Sequence, residues 1–221
     1  MSSASLESVA ADSPPTPLTR AEQQSRTQAA LIASARRVFG RDGFNGANLA
    51  AIAREAGLTK GAVYSNFDSK ADLFLAVLDD DLVSLDPETW DPVARFANVP
   101  NLEGQSVRLP GLAPGEREAL GFGLATLEFA ASAARDQELS DAFSERLGRL
   151  LAGFEAIARR GHRDDDPLSA EQLGSMLMAF DQGAAIHWLT GQMDIEADTM
   201  REVMNRMLRP TTDEGAEPGA V

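Results

Sequence analysis

Thr19, Asn48, Thr59, Ser69 and Ser169 each stand directly before a stretch whose apolar residues recur every three or four positions. Side chains of this kind cap the orphan N–H groups of a helix's first turn, and the period is that of one helical face. In Thr19-Arg20-Ala21-Glu22, Ser69-Lys70-Ala71-Asp72 and Ser169-Ala170-Glu171-Gln172 the last residue is spaced to reach back and close a capping box. No segment alternates apolar and polar residues convincingly enough for a strand. The pattern predicts an all-α fold.

The helices can be placed from the same signals. The first starts after Thr19, carries Leu31, Ile32, Ala35, Val38 and Phe39, and is expected to end between Gly40 and Gly43. A short helix follows Asn48 and stops at Gly57. A second short helix follows Thr59, with Ala62, Val63 and Phe67 on one side. A longer one opens at Ser69 and carries Leu73, Phe74, Val77, Leu78 and Leu82. Pro87, Pro92, Pro100, Pro110 and Pro114 then interrupt the period, so residues 86–115 are expected to be irregular, with a short helical piece near Pro92 to Ala97. Helical spacing resumes from Leu120 to Ala131, from Leu139 to Ile157, from Leu173 to Trp188 and from Met200 to Leu208, where Pro210 ends it. Residues 1–18 and 211–221 read as disordered tails. The division expected is a head over 26–86 and a helical body over 87–210.

Composition excludes several function classes. The chain has no cysteine and only two histidines, His162 and His187, so thiolate metal sites, cysteine nucleophiles and zinc fingers are out. No metal, cofactor or Ser/His/Asp triad is suggested by any spacing, and no enzyme activity is expected. No apolar run is long enough for a membrane-spanning helix, and the first residues lack the pattern of a cleaved leader. The expected location is the cytoplasm.

The net charge of −14 argues against nucleic acid until it is divided along the chain. Residues 19–70 hold eight basic and four acidic side chains; residues 71–221 hold 12 basic and 28 acidic ones. A basic module on an acidic body is the distribution expected of a protein that binds phosphates through one part only. The acidic triplets Asp79 to Asp81 and Asp164 to Asp166 read as solvated faces.

The two short helices, joined through Gly57-Leu58 and preceded by a long one, have helix-turn-helix spacing over 48–67. The second exposes small or polar residues: Lys60, Gly61, Tyr64, Ser65 and Asn66. Small residues let a helix sit close in the major groove, and polar ones meet base edges and phosphates. The chain's two lysines, Lys60 and Lys70, flank it. Gly61 inside a helix costs about 1 kcal/mol against alanine, an expense that close approach to DNA explains.

Residues 26–72 resemble the DNA-binding domain of the tetracycline-repressor (TetR/AcrR) family. The resemblance rests on Phe39, Gly43-Phe44, Ile52-Ala53, Ala56-Gly57, Gly61, Tyr64, Phe67 and Lys70 at the family's spacings. It implies a homodimeric, ligand-responsive transcriptional regulator, most often a repressor, bound to a palindromic operator in double-stranded DNA. It implies that Thr59 caps the recognition helix near a phosphate and that Lys60, Gly61 and Ala62 face the groove. It further implies that Tyr64 and Lys70 contact phosphate, and that Ser65 and Asn66 complete the surface. Asn66 stands where many members carry histidine. Ala47 and Asn48 stand where many carry Thr or Ser; Asn48 keeps the cap without that hydroxyl. The resemblance also implies dimerisation through helices at about 169–190 and 196–209. A small, largely apolar effector would bind among the middle helices, with Phe122, Phe129, Phe143, Phe154 and Met178 as the expected lining. The rival reading is a helical module that senses or sequesters a small molecule without binding an operator.

Overall fold

The computed structural model describes residues 19–83, 114–163, 166–189 and 197–208. The expected tails, nearly all of the 86–115 excursion with its short helical piece, and Asp164 and Asp165 lie outside the described residues. Eight helices are described: α1 (Arg20–Gly46), α2 (Leu49–Glu55), α3 (Lys60–Tyr64), α4 (Lys70–Val83), α5 (Pro114–Ala133), α6 (Gln137–Gly161), α7 (Ala170–Leu189) and α8 (Ala197–Leu208). No strand occurs among the described residues, as the sequence predicts, and among them no helix is long and apolar enough to cross a membrane.

The capping signals act as expected. Thr19 accepts from the Glu22 N–H at 3.2 Å while Glu22 accepts from the Thr19 N–H at 2.7 Å. Ser169 and Gln172 repeat that exchange at 3.3 and 2.9 Å. The first helical run breaks where expected, at Gly43, whose φ of 72° and ψ of 171° are not helical; a further short turn then carries α1 to Gly46. That extra turn carries Phe44 into the core.

Two apolar cores form. The first joins Leu31, Val38, Phe39 and Phe44 of α1, Ile52 of α2, Val63 of α3 and Leu73, Phe74 and Val77 of α4. It continues into α5 through Phe122, Ala125, Phe129 and Ala133, with Phe143 of α6 packed against it. Phe74 stacks on Phe129 at 4.7 Å and on Phe122 at 5.3 Å between ring centroids, and Phe44 meets Phe129 edge-on at 5.0 Å. The second core lies within the body: Phe154 and Ala158 of α6, Leu173, Leu177 and Ala184 of α7, and Met200 and Met204 of α8. α1 and α5 cross almost backbone to backbone at Gly40 and Gly121, where a Cβ on Gly121 would run into the Gly40 carbonyl.

The acidic triplet of α4 is solvated as expected at Asp80 and Asp81, whose side chains are exposed, but Asp79 is half-buried and all three carboxylates meet arginines of other helices. Asp79 pairs with Arg146 at 2.7 Å and also with Arg149, both of α6. Asp81 and Asp80 pair with Arg36 of α1 at 2.6 and 3.6 Å. The Arg36 guanidinium also lies 5.2 Å from the Phe122 ring centroid, so α1, α4 and α5 meet at one cation. Runs of like charge on a helix are tolerable here because each carboxylate faces another helix's arginine.

Candidate nucleic-acid interface

The motif over 48–67 is built by three local devices. Asn48 caps α2, its Oδ1 accepting from the Ala51 N–H at 2.9 Å. At the other end Gly57 takes φ 69°, the Gly57 N–H donates to the Arg54 carbonyl at 3.1 Å, and the Leu58 N–H donates to the Ala53 carbonyl at 2.8 Å. This is the Schellman closure, which a left-handed residue permits, so Gly57 sets the turn between the two helices. Thr59 then caps α3, accepting from the Ala62 N–H at 3.2 Å. Ile52, Ala53, Val63 and Phe67 are buried and fix both helices on α1 and α4. Arg37 and Arg41 of α1 hold Glu55 at the end of α2, at 2.8 and 3.1 Å. Burial works against the Glu55 charge, but the two arginines outweigh it and hold its carboxyl below the usual value of 4.5.

What remains outward is the face named from the sequence. Thr59, Lys60, Gly61, Tyr64 and Ser65 are exposed, as is Asn48; Ala62 and Asn66 are half-buried. The Lys60 ammonium lies 5.5 Å from the centroid of the Tyr64 ring, a cation–π pair one helical turn apart that holds both side chains on one side of α3. Ser65 Oγ and Asn66 Nδ2 both donate to the Ala62 carbonyl, at 3.0 and 2.8 Å, and so close the end of α3. Gly61 has an ordinary helical φ, and a Cβ there would meet only Thr59 Oγ1 at 3.7 Å. Nothing inside the described protein requires glycine at this position.

Lys70 is placed differently from its expected role at a phosphate. Its ammonium donates to the carbonyls of Phe44, Asn45 and Ala47 at 2.7, 3.2 and 3.0 Å, and it lies 4.7 Å from the Phe44 ring centroid. Three donors meet three acceptors, so Lys70 staples the α1–α2 corner to the start of α4. Burial lowers its pKa below the usual lysine value, against the opposing charge of Glu128. Much of the basic charge of 19–70 is therefore spent internally: Arg36, Arg37 and Arg41 on ion pairs, Lys70 on carbonyls. Lys60 on α3 and Arg54 on α2 stay exposed. Arg54 was countable in the sequence as charge, but only the folded α2 shows that it faces outward.

The five residues expected to line an effector pocket do not gather in one place. Phe122, Phe129 and Phe143 belong to the core shared by head and body. Phe154 and Met178 belong to the second core, within the body. Among the described residues no group of three or more acidic or histidine side chains is placed to hold a metal ion.

Two family models match the chain: bacterial regulatory proteins of the tetR family over residues 31–77, and the C-terminal part of BetI-type transcriptional repressors over residues 111–212. The HTH-type transcriptional regulator TtgR of Pseudomonas putida is 43% identical over 74 residues. That match spans 34% of this chain and 33% of that protein, so about a third of the relative's length is covered. Among solved structures, a TetR-family regulator from Rhodococcus sp. superposes with a TM-score of 0.61 at 18% identity, covering 82% of this chain and 95% of that one. A transcriptional regulator from Saccharomonospora viridis in complex with choline gives 0.58 at 22% identity, covering 83% and 96%. At such identities these neighbours bear on the fold alone, and the fold is the same helical head on a helical body. Motif, head and body agree: the head is that of the tetR family of bacterial regulatory proteins, and the body matches the C-terminal part of BetI-type transcriptional repressors.

Proposed function

We propose that this chain is a homodimeric repressor that binds a palindromic operator and is released by a small organic effector. The observation that carries the reading is α3 itself. It is exposed, begins with a cation, and holds a glycine that the fold does not need. A helix pressed into the major groove needs that glycine, because its backbone must come close to the bases. Lys60 and Tyr64, Thr59 at the cap, and Asn48 at the start of α2 supply phosphate contacts around it. Gly61, Ala62 and Ser65 face the bases, Asn66 shapes the helix end, and Lys70 keeps α4 and the corner in register.

The exposed stripe of α7 supports the dimer. Met176, Ala179, Gly183 and Ile186 recur at helical spacing, and Met176 and Ile186 are 53% and 42% exposed in the single chain. Two copies pairing through 169–190 and 196–209 would cover this stripe and give the two-fold symmetry a palindrome demands. The effector is assigned to the body, at the second core near Phe154 and Met178, while Phe122, Phe129 and Phe143 belong to the other core and are not part of its lining. The choline held by the S. viridis neighbour and the BetI-type match of the body support a small organic molecule as effector. Selection of binding sites from a random DNA pool tests the reading. The expected result is a palindrome, with binding lost in Lys60→Ala and Tyr64→Ala proteins that fold and dimerise normally. Recovery of no sequence would refute it.

A further inference from the structure

Outside the recognition surface, one polar contact ties body to head at the place where the motif begins. Glu128 of α5 accepts a hydrogen bond from the backbone N–H of Asn45 at 2.8 Å, through Oε2. Gly43 lies against the same carboxylate: a Cβ there would stand 2.6 Å from Oε1 and 2.9 Å from Oε2. The corner over 43–47 is thus gripped from two sides. The body's anion takes an N–H, and the Lys70 ammonium of the head takes three carbonyls. The corner leads directly into Asn48, the cap of α2, and Lys70 is the first residue of α4. Both flanks of the helix-turn-helix are therefore set by it.

We propose that Glu128 is the positioning residue through which the body fixes the angle of the DNA-binding head. This rests on the regulatory function proposed above. The mechanics follow from the close crossing of α1 and α5 at Gly40 and Gly121, which serves as a fulcrum because neither backbone can approach further. Glu128 lies seven residues along α5 from Gly121. At 1.5 Å per residue that is an arm of about 10 Å, so turning α5 by roughly 10° shifts the carboxylate by nearly 2 Å. A hydrogen bond of 2.8 Å does not survive such a shift. Any event in the body that rotates α5 by that much therefore frees the corner from Glu128 and slides the neighbouring Phe129 against Phe44 and Phe74. Arg36, on the other side of the crossing, holds α4 and Phe122 and limits the rotation.

The test uses the full-length homodimer and its cysteine-free background. Ser65→Cys and Ser144→Cys accept a fluorophore pair that reports the head–body distance within one protomer, with excess unlabelled protein to suppress signal between protomers. Glu128→Ala is expected to broaden that distance distribution and to speed hydrogen exchange at the Asn45 amide at least tenfold. Glu128→Gln, which keeps an acceptor, is expected to restore most of both. On DNA, Glu128→Ala should lose about tenfold in operator affinity and lose most of its preference among half-site spacings, as a general loss of stability would not. An unchanged distance distribution with unchanged Asn45 exchange overturns the proposal. If the unsubstituted protein selects no DNA, the regulatory reading fails, and the distance and exchange measurements still judge Glu128.

Discussion

Replacing Gly61 with alanine sets stability and function against each other. The position is helical and exposed, and the added methyl would meet only Thr59 Oγ1 at 3.7 Å, an ordinary contact. Alanine in a helix is favoured over glycine by about 0.5–1 kcal/mol, mostly through the unfolded chain's lost freedom. In a protein of this size that raises the melting midpoint by about 2 °C. The same methyl would stand between the backbone of α3 and the groove floor. Operator binding should therefore weaken by at least about tenfold, or ~1.4 kcal/mol. Chemical denaturation measures the first effect and fluorescence anisotropy with operator DNA the second. A variant that is stabilised and binds DNA as before would refute the groove-facing placement of Gly61. A destabilised variant would refute the claim that the fold leaves room there.

Three further outcomes follow from the head. Lys70→Met should lower stability by about 1–3 kcal/mol, because a charged donor to three carbonyls is lost; urea unfolding followed by circular dichroism reads it. Gly43→Ala should cost about 1–3 kcal/mol through its backbone alone, because φ 72° with ψ 171° is a region essentially reserved for glycine, and more through collision with Glu128, which Glu128→Ala in the same chain should partly relieve. Glu55 titrates below its unfolded value in the folded protein, so its pairing stabilises the head above about pH 4.5 and is lost as the pH falls through the lower folded value. Glu55→Gln should accordingly flatten the acid limb of a stability–pH curve and leave its neutral limb parallel to that of the parent.

The helices were legible in the sequence because the signals that place them are local. A cap, a 3.6-residue period and a glycine stop each lie within one element, and Thr19, Asn48, Thr59 and Ser169 all perform the capping their positions suggest. The outward face of α3 was legible for the same reason: Val63 and Phe67 had to turn inward, which left Lys60, Gly61 and Tyr64 outside. What depends on distant partners was not legible. The pairing of Asp79 with Arg146 and Arg149, and of the still exposed Asp80 and Asp81 with Arg36, depends on two other helices and leaves no mark in the local pattern. Lys70 looks like a free cation until the kink at Gly43 presents three carbonyls to it. The aromatic residues of α5 and α6 look equivalent in the sequence. Tertiary packing sends Phe122, Phe129 and Phe143 to one core and Phe154 to another.

The central claim is that α3 reads DNA. The most direct measurement is fluorescence anisotropy of the full-length protein with labelled DNA from upstream of its own gene, at near-physiological salt and against excess scrambled competitor. The account predicts tight binding that resists the competitor and is abolished by Lys60→Ala. Binding no stronger than to scrambled DNA, together with no site recovered from a random pool, would contradict it.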